Sequence, residues 1–549
     1  MKRIVTCRML LITLAAGPPI GVRHAEAATI YVNANTREGV SQDGTSWKTA
    51  YGNLQNALDK AATTPGADKI LMAEGTYVPT RIYVPNGIVG GASGVQTENL
   101  KTFDLPDQVA IYGGFSDDEK SGFGRFSHSH STVLSGGGVS WHVVTAGNDV
   151  AHTGVRATLD GLAIRDGNAQ GPGADLHFAP FTFGHNLGGG LYVTFDSTIE
   201  VNDVDFDHNT AGGDGGGLFS INSVVTVARS HFSRNRAGVR GGALEVFNTF
   251  ETKAHTTRIV RTVFEENSAQ IFGGAIVGEG SFPDENSSLD INESTFEGNT
   301  AGEGGAIVFD SLITTVRNSR FERNIATVTA GALATTNIGA TIASAALSRP
   351  RHGFVKLATT ISHCEFNGNI ARGDQVAHDG LVGGPAAGLN FGLGGGALLA
   401  YMNGYLNVAD SSFRDNVAEN GDGGAILNGR SEAQHPLSTD AVAFDVRTVV
   451  VNSTFVGNKA LTGNGGAIAS LPGAMLSIPE RTVTNTTLSA TASTFKGNSA
   501  LGDGGAVYLH MSNATLDANA SAENHAALGE STYGVDSIIN GSAMSSFKR

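Results

Sequence analysis

Carboxylates, histidines and one arginine at short spacings are the residues of this chain that could do chemistry. Asp117-Asp118 are adjacent acids, and Asp214, Asp422 and Asp503 each stand just before a glycine pair. Acids beside glycines can supply oxygen ligands to calcium, but the EF-hand spacing and the tandem nonapeptide calcium repeat are both absent. An Asp in that position more commonly bonds its own backbone in a turn, so calcium is the lesser reading. His128 and His130 alternate at a spacing that would put both rings on one face of a strand, with no third ligand evident. Arg372-Gly373-Asp374 would suit a cell-attachment loop, although such a tripeptide arises easily by chance in a chain with 74 glycines.

Glycoside hydrolysis needs two carboxyl groups held at a fixed separation across the sugar bond. Asp117-Asp118 lie in a loop ahead of the patterned region. The Gly-His-Gly and Arg-x-Lys elements that accompany such acids in polygalacturonase-like enzymes do not occur. No cluster of calcium carboxylates with a basic arginine, as lyases of acidic polysaccharides use, stands out. No phosphate loop, dinucleotide fingerprint or nucleophile elbow appears either. The sequence therefore assigns no catalytic, cofactor-binding or metal residue.

What must position any site is a repeat. Phe206, Phe232, Phe264, Phe296, Phe321, Phe366, Phe413, Phe455 and Phe495 each sit three residues before an Asn, and most follow a Ser or Thr by two. A glycine element comes after each, from GGGL at 215–218 and GGAL at 241–244 through GGAI at 465–468 to GGAV at 504–507. No amphipathic helix pattern fills the intervals. Short alternating runs do, such as Val224 to Val227 and Thr448 to Val451, which suit strands. A unit this small cannot bury its own apolar face, so the units must stack. The fold predicted is all-β: a single-stranded right-handed parallel β-helix in which Phe and Asn form columns, Gly pairs make tight bends and the following Ala fills an inside corner. On this reading the Phe and Asn residues are architecture, not a ligand site.

The rest of the chain fits around that rod. Residues 1–27 read as a signal peptide, with Lys2, Arg3 and Arg8 ahead of an apolar run and Ala25-Glu26-Ala27 as the cleavage site. No segment is long and apolar enough to span a bilayer as a helix. Residues 28–135 form an N-terminal cap with the first coils. Asn53 there caps a helix that carries Leu54, Ala57, Leu58 and Ala61 on one face and covers the open end of the stack. Residues 136–513 are expected to form the β-helix, and 514–549 a C-terminal tail or a truncated end. Longer repeats carry their extra residues at 334–360, 372–393, 428–446 and 470–488, positions that in solenoids either form a binding face or simply drift.

Removal of four basic residues and Glu26 with the signal takes the net charge from −15 to −18, which argues against nucleic acid and anionic membranes as partners. The mature chain keeps one cysteine, Cys364, so no intrachain disulfide can form.

Several of these motifs carry a family resemblance. IYVNA at 30–34, DGTSW at 43–47, LQNAL at 54–58, AEGTYVPT at 73–80 and IYGGF at 111–115 resemble secreted bacterial β-helix repeat proteins. The FxxN and GGA[ILV] pair is similar to the passenger repeats of chlamydial polymorphic outer membrane proteins. The resemblance covers most of residues 28–510 and implies an exported β-helix at the cell surface or outer membrane with adhesive roles. It departs at the end, where 514–549 is too short for the translocating barrel of that family. The function expected is a surface or extracellular structural and adhesive protein that meets a host or neighbouring cell, a glycan or matrix. The alternative is a secreted polysaccharide lyase or glycoside hydrolase. Oligomeric state is not legible.

Overall fold

A computed structural model describes residues 28–36, 41–64, 66, 68–82, 97–116, 131–147, 153–171, 184–248, 255–280, 287–337, 357–374, 389–391, 393–401, 403–429, 431–433, 445–472, 485–535 and 537–540. Among them the strands pair in three long, all-parallel sheets of 26, 13 and 10 strands, with one short antiparallel pair outside these. Each strand is bonded to its equivalents one coil before and one coil after, which is the parallel β-helix predicted.

The Phe column shows why the chain stacks in register. Consecutive rings from Phe206 to Phe495 have centroids 4.4 to 5.0 Å apart and planes within 14° of parallel. That spacing is the coil rise itself. Where the sequence lacks Phe the column persists with other residues: Tyr77, Leu134 and Ile164 precede Phe206, and Ser521 follows Phe495.

Beside it runs an asparagine ladder. The Asn299 amide nitrogen donates to Asn324 Oδ1 at 3.0 Å and to the Phe264 carbonyl at 2.9 Å. Its own Oδ1 accepts the backbone N–H and the side-chain amide of Asn267. The same bonds recur from Asn209 to Asn524, so fully buried amides leave no group unpaired. Ser residues two before Phe form a third ladder: Ser294 Oγ accepts the Thr262 N–H and donates to the Asn292 carbonyl. Cys364 occupies this column, with its thiol on the Ser362 carbonyl.

The glycine bends follow the same logic. Gly304 has φ +59°, and a β-carbon on Gly305 would run into the Gly331 carbonyl of the next coil. Ala306 and Ile307 then turn fully inward, joining the main core.

At the start, helix Leu54–Thr63 buries Leu54, Ala57, Leu58 and Ala61, and Asn53 accepts the Gln55 N–H at 2.7 Å. The end differs from expectation. Stacking runs beyond 513 through Asn513–Asp517, Ala520–Ala522, Thr532–Val535 and Ile538–Asn540. This coil hides from the motif because Ser521 replaces Phe, while Asn524 keeps its ladder bond. Gly529 holds the turn with φ +64°. The predicted signal at 1–27 lies outside the described residues.

Candidate functional site

From Arg156 onward, two of the four turns in each coil are nearly invariant. Two residues separate each Phe strand from the next short strand, as in Ser233 to Arg236 and Val456 to Lys459, because the Asn ladder occupies that corner. Length varies only beside the thirteen-stranded sheet. Segments 249–255, 281–287, 337–357, 429–444 and 471–484 leave strands of that sheet, and 170–190 and 372–397 lead into them. The expected insertions thus have their roots on the two edges of one sheet. Two of them also meet each other, since Leu389–Phe391 pairs antiparallel with Ser431–Ala433.

The outward column of this sheet is apolar where it would be expected to face water. Tyr192, Phe219, Val277, Val308, Ala334, Leu399, Leu427 and Ala469 lie in register and are buried, while their neighbours Leu191, Leu218 and Ile276 fill the main core. Over these residues the sheet is buried on both sides, and its outer clusters are distinct from the main core.

One charged group breaks that column. Glu245 sits in register between Phe219 and Val277 and is 0% exposed. Around it are Asp214 and Arg240, each just before a glycine bend, with Glu279 and Asp310 in register one column over. Arg240 forms a close ion pair with Glu279 and lies 3.8 Å from Glu245. Neither Glu245 oxygen, nor Asp214 Oδ1, accepts a hydrogen bond. Burial pushes the Glu245 carboxyl well above the usual range, and Asp214 adds to it. Burial likewise raises Asp214 to about 6. For Arg240 burial works against the charge, but Glu279, Asp214, Glu245 and Asp310 outweigh it and hold the guanidinium ionised.

Nearby, Glu303 accepts from the Tyr401 hydroxyl at 2.5 Å. Burial raises Glu303 to about 7, the phenol opposes the shift and Asp310 adds to it.

A second buried group lies toward the start. His142 Nδ1 is 3.0 Å from the Gly188 carbonyl, and its Nε2 is 3.2 Å from His185 Nδ1. Trp141 covers His185 and Tyr192 stacks on His142. Burial depresses both imidazoles, to about 4 for His142 and about 3 for His185, so both are neutral near pH 7.

The residues singled out in the sequence are not brought together. Asp117, Asp118, His128 and His130 lie outside the described residues. Asp214 joins the Arg240 cluster. Asp422 Oδ1 instead accepts the Asn464 N–H at 2.7 Å and its amide at 3.0 Å, and Asn464 Oδ1 accepts the Asp503 N–H, a turn role repeated up the stack. Among the described residues no three His, Cys, Asp or Glu side chains are grouped as metal ligands. Arg372 and Asp374 are exposed at the root of an insertion, on either side of buried Gly373. Glu245, Glu303 and Tyr401 escaped sequence reading. For Glu245 the signal was a charge in a column whose other copies are apolar, visible only once the coils are aligned; Glu303 and Tyr401 carried no such signal.

Residues 293–310, 452–471 and 492–510 match the Chlamydia polymorphic membrane protein (Chlamydia_PMP) repeat. The chain is a parallel β-helix built in part from repeats of that type. No curated protein sequence matches it. Among solved structures it is similar to pectin methylesterase PemA from Erwinia chrysanthemi, at 11% identity over 62% of this chain and 80% of that one, with a TM-score of 0.26. It is also similar to PfbA, a surface adhesin of Streptococcus pneumoniae, at 12% identity over 94% and 93%, with a TM-score of 0.29. The architecture rests on the ladders described above, not on these distant likenesses. No helix among the described residues is long and apolar enough to cross a membrane.

Proposed function

We propose that this protein is an exported surface β-helix whose role is adhesive, with insertions presented along both edges of one sheet of a rigid rod. The observation that carries this reading is the placement of the variable segments: they flank the thirteen-stranded sheet, while the turns that hold the Asn ladder keep constant length. A scaffold held rigid by ladders tolerates change where backbone pairing is not at stake, and variable loops gathered on one face commonly form a binding surface. The polymorphic membrane protein repeats support surface placement. The net charge of −15 fits a partner other than nucleic acid.

Catalytic carboxyls have to touch a sugar to act on it. Glu245, Glu303 and Asp214 are buried instead, which supports a non-enzymatic reading.

The test is binding of the purified mature protein to host-type cells, extracellular matrix proteins and a glycan array. A second version replaces 434–444 by a short Gly-Ser link, which leaves the Asn416–Asn458 ladder bond in place. Binding by the intact rod that falls at least tenfold in the shortened one is expected. No binding to any surface, together with release of unsaturated or reducing ends from an acidic polysaccharide, would replace adhesion with enzymatic action.

A further inference from the structure

We propose that the carboxyl groups gathered around Arg240 form a pH-sensitive latch on the outer face of the thirteen-stranded sheet, closed while Glu245 and Glu303 hold protons and loosened when both ionise.

The case begins with charge. Asp214 and Glu245 are buried and Glu279 and Asp310 half-buried around Arg240, the guanidinium set among these four carboxyls, and buried Glu303 adjoins the group through Asp310. One cation offsets one anion, and Glu279 already holds it closely. Glu245 is left with an ion pair at 3.8 Å and no hydrogen bond to either oxygen. A buried carboxylate so placed is costly, and taking up a proton is the ordinary way out. Glu303 has one donor, Tyr401, and faces Asp310. Glu245 faces Asp214, Arg240 and Glu279. Among the described residues that act on Glu245 and Glu303, Arg240 is the one positive charge, so ionising both glutamates adds repulsion inside the fold.

The direction follows from linkage. Both glutamates titrate higher in the folded chain than the ordinary value of 4.5, with Glu303 at about 7. Their contribution to stability is complete below the unfolded value and is lost as pH rises through the folded values, about 7 for Glu303 and well above the ordinary range for Glu245. The effect is local, because repeat arrays open by neighbouring units. Leu244–Asn248, Ile276–Gly280 and Ile307–Asp310 pair with one another and carry Glu245, Glu279 and Asp310. Segments 249–255 and 281–287 begin where the first two of these strands end. Loosening this place would free the roots of two insertions without touching the Phe and Asn columns.

Hydrogen–deuterium exchange on the intact mature protein at pH 5.5 and 8.5, corrected for the intrinsic pH dependence of exchange, tests this. Peptides spanning 244–248, 276–280 and 307–310 are expected to exchange at least tenfold faster at pH 8.5, with 405–409 and 454–456 unchanged. The Glu245→Gln, Glu303→Gln double variant should keep the low-pH protection and lose the pH difference. Equal protection of the wild-type strands at both pH values would overturn the proposal. So would a folded double variant that retains the full difference. If that variant does not fold, the wild-type profile decides alone.

Discussion

The hydroxyl of Tyr401 donates to Glu303 Oε1 at 2.5 Å across two coils, joining residues 98 positions apart in the chain. Thr329 is the backbone equivalent of Glu303 in the coil between them, and Gly394 its equivalent in the coil of Tyr401. The outer face is therefore tied together by side chains as well as by strand pairing. Tyr401→Phe removes the one donor this carboxyl has from Tyr401 and should destabilise the coils around it by about 1–3 kcal/mol. The loss should be larger at pH 8.5 than at pH 5.5, because the phenol favours the ionised form. Denaturant melts at the two pH values measure the difference, and an equal loss at both would contradict the assignment.

The asparagine ladder makes a sharper claim. Asn299→Ala deletes bonds to Asn267, Asn324 and the Phe264 carbonyl, all buried. Stranded buried groups cost about 1–3 kcal/mol each, so the variant should lose roughly 3 kcal/mol or more. Exchange should rise first in the coils on either side of 299. A single global transition is not assured in a repeat array, so local exchange is the better readout.

One change should stabilise. Glu266 stands second after Phe264 with φ +53°, a left-handed conformation that costs a non-glycine residue about 1 kcal/mol or more. The same position is Gly298, Gly368, Gly457 and Gly497 in other coils. Glu266 is exposed, so little packing is at risk. Glu266→Gly should gain about 0.5–1 kcal/mol after the entropy of glycine is subtracted, seen as a higher guanidinium midpoint. A lower midpoint would mean that the side chain holds something the strain offsets.

Acid should act at the other end of the rod. His142 and His185 fall from 6.5 to about 4 and about 3 in the folded chain. Groups depressed in this way contribute stability that is complete above 6.5 and fades as pH drops toward the folded values. Exchange in 142–146 and 187–193 should therefore rise between pH 6.5 and 4. His185→Phe, which keeps a ring against Trp141, should blunt that rise.

Much of this architecture could be read from residue order. The Phe and Asn spacing, the glycine pairs and Asn53 as a helix cap each appear where the pattern put them, because a stacked coil repeats its demands on the chain at every turn. The last coil was missed since Ser521 breaks the motif, although Asn524 keeps it. The site was not legible. Asp214 drew attention for its glycines, yet its neighbours Arg240 and Glu245 are distant in kind from any known motif.

The one-dimensional string determined that this chain stacks, and in which register, because ladder bonds and ring stacking depend only on the identity of equivalent residues. It left open where on the coil the variable segments are rooted and which charges share a neighbourhood. Those were decided by the coil geometry, which sets the insertion roots along two edges of one sheet. The same geometry buries Glu245, Arg240 and Glu303 on the outer face of that sheet.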